Sequence, residues 1–239
     1  MRPRRRRWWA VPPTTAVRAA LAVASDLDEW HVMVLRPRPP PKNAWPSPRR
    51  SVDPVRMAQT KKRADLFLPP EEDPREGGPT LGDERATLVE YLRYQRLTLE
   101  LKCADLGPEQ LARRSVPPST MSLLGLVRHL AEVERRWFRV RMSGLPDVAY
   151  YISTAEPDAD WDGAAPDQAL VDEAWRNWRT ECAFADRFVA EAPTLDVTGR
   201  TAQGPVSLRE VLVHMIEEYA RHNGHADLLR ELIDGRVGQ

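Results

Sequence analysis

One helix constrains this chain more than any other stretch. Ser207 to Gly235, SLREVLVHMIEEYARHNGHADLLRELIDG, carries a start signal and a stop signal. Ser207 with Glu210 three residues later reads as a capping box, in which each side chain satisfies an exposed backbone donor of the first turn. Gly235 suits the left-handed turn that closes many helices. Between these limits His214, Glu218 and His222 recur at i, i+4 and i+8, and His225 falls at i+11. At about 100° per residue the four side chains occupy one arc of roughly 80°. That arc overlaps the apolar one of Val211, Met215, Tyr219, Leu229 and Leu232, so the histidines are expected at the interior or its edge.

A carboxylate and an imidazole four residues apart on a helix face can close on one divalent cation, since their Cβ atoms lie about 5 to 6 Å apart. Glu218 and His222 have that spacing. A third ligand must come from elsewhere in the fold. Of the remaining histidines, His31 lies in a segment outside the expected domain, which leaves His129. It sits in SLLGLVRHLAEVERRWF, where Leu126, Leu130, Val133 and Trp137 share its side of a helix. Taken singly, each histidine is an ordinary packed residue. Converging from two helices, His129, Glu218 and His222 are expected to bind one metal ion.

Two imidazoles and a carboxylate suit Zn²⁺, and Ni²⁺, Fe²⁺ and Mn²⁺ also accept such donors. Three protein ligands leave a position for water or substrate, as in catalytic zinc sites. In that position zinc lowers the pKa of water to about 7, or holds a thiol as its thiolate. The first serves a hydrolase and the second a thiol transferase or isomerase. His225, one turn beyond His222, is the first candidate for a catalytic base, an outer partner or a replacement ligand. His214 is expected in the core or behind a ligand.

The rest of the chain divides by texture. From Met1 to residue 78 it is crowded with proline and arginine, as in LRPRPPPKNAWPSPRR, with no sustained period. Proline at that density forbids regular helices and sheet interiors, so residues 1–78 are expected to be a disordered extension. The formal net charge of zero hides a split: residues 1–65 hold 15 Lys+Arg and 5 Asp+Glu, the remainder 20 and 30. The basic arm has the electrostatics to attract nucleic acid or anionic lipid. It also has the residue bias of translated GC-rich intergenic sequence, and Met57 opens a polar stretch leading directly into the domain. A start at Met57 is therefore the favoured expectation, and no nucleic-acid partner is expected for the folded domain. RRRRWWA resembles a twin-arginine signal, but prolines and Arg18 interrupt the apolar core such a signal needs. No window approaches a membrane span, and Cys103 and Cys182 make no disulfide framework. A cytoplasmic protein is the expectation.

Residues 79–239 read as a four-helix bundle with no strand pattern of any length. Asp83 caps a first helix with Leu88, Tyr91, Leu92, Leu99 and Cys103 on one side, ending at Gly107-Pro108. Ser119 or Thr120 caps a second, which carries His129 and runs to Ser143-Gly144. Asp167 caps a third, with Val171, Trp175, Trp178, Cys182, Ala185 and Phe188 on one side, stopping at Pro193. Its tryptophans at helical spacing read as core area rather than a binding platform. The link from Asp196 to Pro205 is at most slightly extended. The connection LPDVAYYISTAEPDADWDGAAP is too long for a tight hairpin, and with Tyr150, Tyr151, Asp158, Asp160 and Trp161 it could wall a pocket over the metal.

LVRHLAEVERRWF and HMIEEYARHNGHADLLRE resemble the two metal-bearing helices of the DinB/YfiT-like superfamily, in its actinobacterial branch. The resemblance spans Leu81 to Gly235. Aligned on His-x-Gly, His222 matches the second histidine of that family's His-x-x-x-His pair, Gly224 its glycine, and Glu218 stands where the first histidine is usual. His225 replaces the usual glutamine. The two-histidine and glutamate set is similar to that of mycothiol-dependent maleylpyruvate isomerases. The resemblance implies an all-α bundle of up-down-down-up connectivity and a divalent metal. It also implies a low-molecular-weight thiol of the mycothiol type as partner, in an S-transferase or isomerase. A metal-dependent hydrolase and a non-enzymatic bundle binding metal or a partner protein stay open. The expected partner is a small-molecule substrate or thiol, and a homodimer is one assembly such a bundle can form.

Overall fold

A computed structural model of the protein describes residues 67–238. α1 (Glu84–Cys103) starts at Asp83, whose carboxylate accepts the backbone N–H of Ala86. The short α2 (Pro108–Leu111) has proline in its first turn, where a missing N–H costs nothing. α3 (Leu123–Glu134) is capped by Ser122, just after the Ser119 or Thr120 that the sequence suggested. It continues as a π-helix, Arg135–Met142. α4 (Ala159–Asp162) is one turn inside the long connection. α5 (Gln168–Glu191), capped by Asp167, stops before Pro193. The next link forms a small antiparallel hairpin, β1 (Thr198–Thr201) and β2 (Gly204–Ser207), pairing Thr198 with Ser207. Strands of four residues are too short to show a period of two. α6 (Leu208–Asp234) begins with Ser207 accepting the N–H of Glu210 and ends at Gly235 with φ 84°.

Side-chain pairs fix the directions of the four long helices. Glu84 meets Arg209, Gln95 meets Asn223 and Lys102 meets Arg230, so α1 and α6 run parallel. His129 meets His222, Glu134 meets Tyr219 and Trp137 meets His214, so α3 opposes α6. Arg85 reaches Val189, Arg96 reaches Asp186 and Glu100 reaches Arg179, so α5 opposes α1. The result is an up-down-down-up four-helix bundle. The long connection after α3 is what lets α5 run in the same direction as α3.

At its centre one polar group from each long helix meets the others. Glu134 is fully buried; its Oε1 accepts from Arg96 Nε at 2.7 Å and from the Tyr219 hydroxyl at 2.8 Å, and its Oε2 accepts from the other arm of Arg96 at 2.7 Å. Trp178 Nε1 donates to the Tyr219 oxygen at 2.7 Å. A buried carboxylate persists only when its lone pairs are met, and here they are met by Arg96 from α1, Tyr219 from α6 and, at 3.7 Å, the Cys182 thiol from α5. Tethering Tyr219 fixes the rotation of α6, and so the bearing of its neighbours Glu218 and His222.

Leu92, Leu99, Leu126, Leu130, Val171, Trp178, Val211, Met215 and Leu229 fill the core around this knot. Two residues expected there are outside: Tyr91 is 61% and Leu232 58% exposed. Tyr91 lies about 100° round the helix from Leu92, and Arg96 takes an interior position on α1 instead. In the last turns of α6 the buried face is Leu229 and Arg230, whose guanidinium donates to the Lys102 and Ala104 carbonyls. Leu232 falls to the other side.

The packed chain also begins before residue 79. Phe67 is buried under the cations of Lys102, Arg230 and Arg236, at 4.4, 5.6 and 3.7 Å from its ring centre. Asp73 and Arg75 form a buried pair at 2.6 Å, and Arg75 reaches Thr98. Arg93 donates to the Pro74 and Arg75 carbonyls. Residues 67–78 thus lie along α1, although their proline content suggested a structureless arm. The rest of that arm, with His31 and Met57, lies outside the described residues. Among the described residues no helix is long and apolar enough to cross a membrane.

Candidate metal centre

The α3–α6 interface carries the predicted ligands. His129 on α3 and His222 on α6 are buried, with ring centres 4.9 Å apart, and Glu218 lies half-buried one turn before His222. One donor atom from each of His129, Glu218 and His222 lies within 4.8 Å of the other two. Glu218 Oε2 is 3.6 Å from His222 Nε2, close to the spacing of about 3.4 Å between donors at tetrahedral zinc. The hydrogen bond from His222 holds the Glu218 carboxyl below its ordinary range against the opposing effect of burial, with His214 assisting. Burial pushes His222 down. An ionised carboxylate and a neutral imidazole are the forms that bind metal, so the donor set fits a divalent ion.

Each candidate ligand is backed by a second group. His129 Nδ1 lies 2.8 Å from Asp160 Oδ2, and Asp160 is fully buried in α4. With Nδ1 so engaged, Nε2 is the nitrogen a metal would take. Glu218 Oε1 lies 3.4 Å from His214 Nε2, whose ring packs at 4.3 Å on Trp137 from the π-helix. His222 Nδ1 lies 3.4 Å from His225 Nδ1, on the edge of the ring away from Glu218. Burial and, less strongly, Arg221 hold His225 low. His214 and His225 are therefore placed behind ligands.

α4 is held against α3 by its backbone as well as by Asp160. Arg128 donates to the Asp160 carbonyl at 2.9 Å and to the Ala159 carbonyl at 2.8 Å. Trp161 stacks on His129, centres 4.4 Å apart, and lies 5.7 Å from His222. Gly125, one turn before His129, makes room for this, since a Cβ there would stand 3.2 Å from the Trp161 ring. The long connection does wall the site, through Trp161. Tyr150 and Tyr151 serve otherwise: their N–H groups donate to Glu132 Oε1, the Tyr150 hydroxyl donates to Glu181, and Asn177 donates to the Tyr151 hydroxyl. Trp175 and Trp178 meet edge to face at 5.4 Å as part of the core, as their spacing suggested.

Sequence reading missed Arg128, which looks like a surface charge yet is buried. It also gave Asp160 only a general place near the pocket, because an irregular connection offers no period from which a side chain's bearing can be read.

Comparison with known proteins bears on this site. Residues 87–235 match the sequence model of a family described as mycothiol-S-transferase. That span contains all three candidate ligands, Asp160 and the four long helices apart from the first turn of α1. No curated protein matches the chain. Among solved structures, a conserved protein from Enterococcus faecalis is similar at 16% identity and TM-score 0.44, over 62% of this chain and 96% of that one.

Proposed function

The chain belongs to the mycothiol-S-transferase family, and we propose that it is a metal-dependent S-transferase whose His129, Glu218 and His222 hold one divalent ion and whose sulfur comes from a small-molecule thiol. The observation that carries this reading beyond the family is the state of the chain's own sulfur. Burial pushes the Cys103 thiol up to about 12 and Cys182 well above its ordinary value. Both are buried and neither is a nucleophile at neutral pH, which supports a sulfur brought by a separate small molecule.

Held by His129, Glu218 and His222, a zinc ion would supply the charge that keeps a thiol deprotonated at neutral pH. The chain's own residues do the rest. Asp160 and Trp161 hold the His129 ring in one orientation and cover its face against water. His214 sets the Glu218 carboxylate. His225, 3.4 Å from His222 Nδ1 on the side of the ring away from Glu218, orients that imidazole rather than facing the open position, so the thiol proton leaves to solvent. A cytoplasmic setting and a low-molecular-weight thiol of the mycothiol class go with this reading.

The test is spectroscopic. Cobalt-substituted protein, shown by metal analysis to be fully loaded, should develop a sulfur-to-metal charge-transfer band in the near ultraviolet on adding millimolar mycothiol. A spectrum unchanged by thiol removes the reading and leaves water as the occupant, as a hydrolase would need.

A further inference from the structure

A cleft lies away from the metal centre, between α1 and α5. α1 packs closely on α6, and α3 on α5, but α1 and α5 face each other across a space of about 310 Å³. Its walls are one stripe of each helix, chiefly Val89, Leu92, Trp178 and Val189, with Phe138 and Leu212 as floor. Long polar side chains span the gap. Arg85 donates to the Val189 and Ala192 carbonyls, Arg96 to Asp186, and Arg179 to Glu100. The space opens to solvent along the rim of Val89 and Ala190, and its volume lies at the lower end of the range of small-molecule pockets, about 300 to 1,000 Å³.

The charge around the cavity decides what it takes. Arg96 is committed to Glu134 and Asp186, Arg85 to two carbonyls, and Arg93 to Glu90 and two carbonyls. These guanidiniums already have acceptors, so an anionic ligand would have to displace one. The walls themselves are hydrocarbon and aromatic. From these observations we infer that the α1–α5 cavity is a binding site for an uncharged, apolar small molecule, separate from the metal centre. The Glu134 knot, with Trp178 and Tyr219, stands between the two sites.

The uncharged fluorophore N-phenyl-1-naphthylamine tests this on the full chain. Its emission should rise and saturate at one probe per chain. Val89→Trp and Ala190→Trp, at exposed positions on opposite rims, should each weaken binding at least tenfold while circular dichroism shows an unchanged helical fold. His222→Ala should leave probe binding as it was. The inference fails if no saturable binding is seen, or if both rim variants bind as the parent does. Loss of binding in His222→Ala alone would place the probe in the metal centre and also overturn it. A dimer dispersed by Val89→Trp, without probe uptake by the parent, would assign the gap to a second copy and overturn it equally. None of these outcomes depends on thiol chemistry at the metal.

Discussion

Asp160 Oδ2 stands 2.8 Å from His129 Nδ1 in a position with no solvent exposure. A buried carboxylate on the outer nitrogen fixes both the tautomer and the orientation of a ligating imidazole, and loss of such a partner typically lowers metal affinity about 10–100-fold. Asp160→Ala should therefore weaken zinc binding by that range with its helical content intact. Competition against a chromophoric chelator measures it. An unchanged affinity would mean that Trp161 alone orients the ring.

The ligands themselves should behave differently from the histidines behind them. His129→Ala, Glu218→Ala and His222→Ala should each leave purified protein with little metal, while His214→Ala keeps most of it. Metal content by mass spectrometry decides the matter. Retention of metal in His222→Ala, or its loss in His214→Ala, would redraw the site.

Glu134→Ala should be among the most damaging single changes in the bundle. It leaves the Arg96 cation, 7% exposed, without its bidentate partner, and breaking a buried pair in this way costs about 3 to 5 kcal/mol. Tyr219→Phe removes the hydroxyl's hydrogen bond to the same carboxylate and the acceptor of the buried Trp178 Nε1–H, and should cost about 1 to 3 kcal/mol. Urea unfolding of the two variants gives the comparison.

Residues 67–78 should matter to stability although their composition reads as linker. A chain beginning at Met57 keeps the Phe67 and Asp73–Arg75 contacts, and one beginning at Leu81 loses them and should melt lower. The pair also predicts a pH effect. The hydrogen bond from Arg75 holds the Asp73 carboxyl below its ordinary value. A depressed carboxylate pKa contributes stability above the unfolded value of about 3.9 and loses it as pH falls through the folded one. Asp73→Asn should thus be less stable than the parent at pH 7, with the difference shrinking below about pH 4 in thermal melts.

Much of this was legible in the sequence because helices advertise themselves. Asp83, Asp167 and Ser207 cap where their side chains and spacing said they would, and His129, Glu218 and His222 come together as i, i+4 geometry and a shared apolar face required. What stayed hidden is polar and interior. Glu134, Arg96 and Arg128 look like solvated charges in a one-dimensional reading, since only their partners on distant helices explain their burial. The π-helix at Arg135–Met142 was hidden too, because it keeps helical composition while changing the turn. Residues 67–78 were misjudged for another reason. Proline forbids regular structure but not packing, and Phe67 needs only three cations and a helix end to be buried.

The parallel run of α1 and α6 bears on how the protein is made. The contacts that join them, Glu84 to Arg209, Gln95 to Asn223 and Lys102 to Arg230, span 125, 128 and 128 residues of chain. Contacts this far apart close late and slow folding. On the ribosome α1 emerges well before α6, and its contacts with that partner wait until α6 has been synthesised. Glu218 and His222 arrive on that same helix, so the nascent chain cannot bring the three candidate ligands together before α6 has emerged.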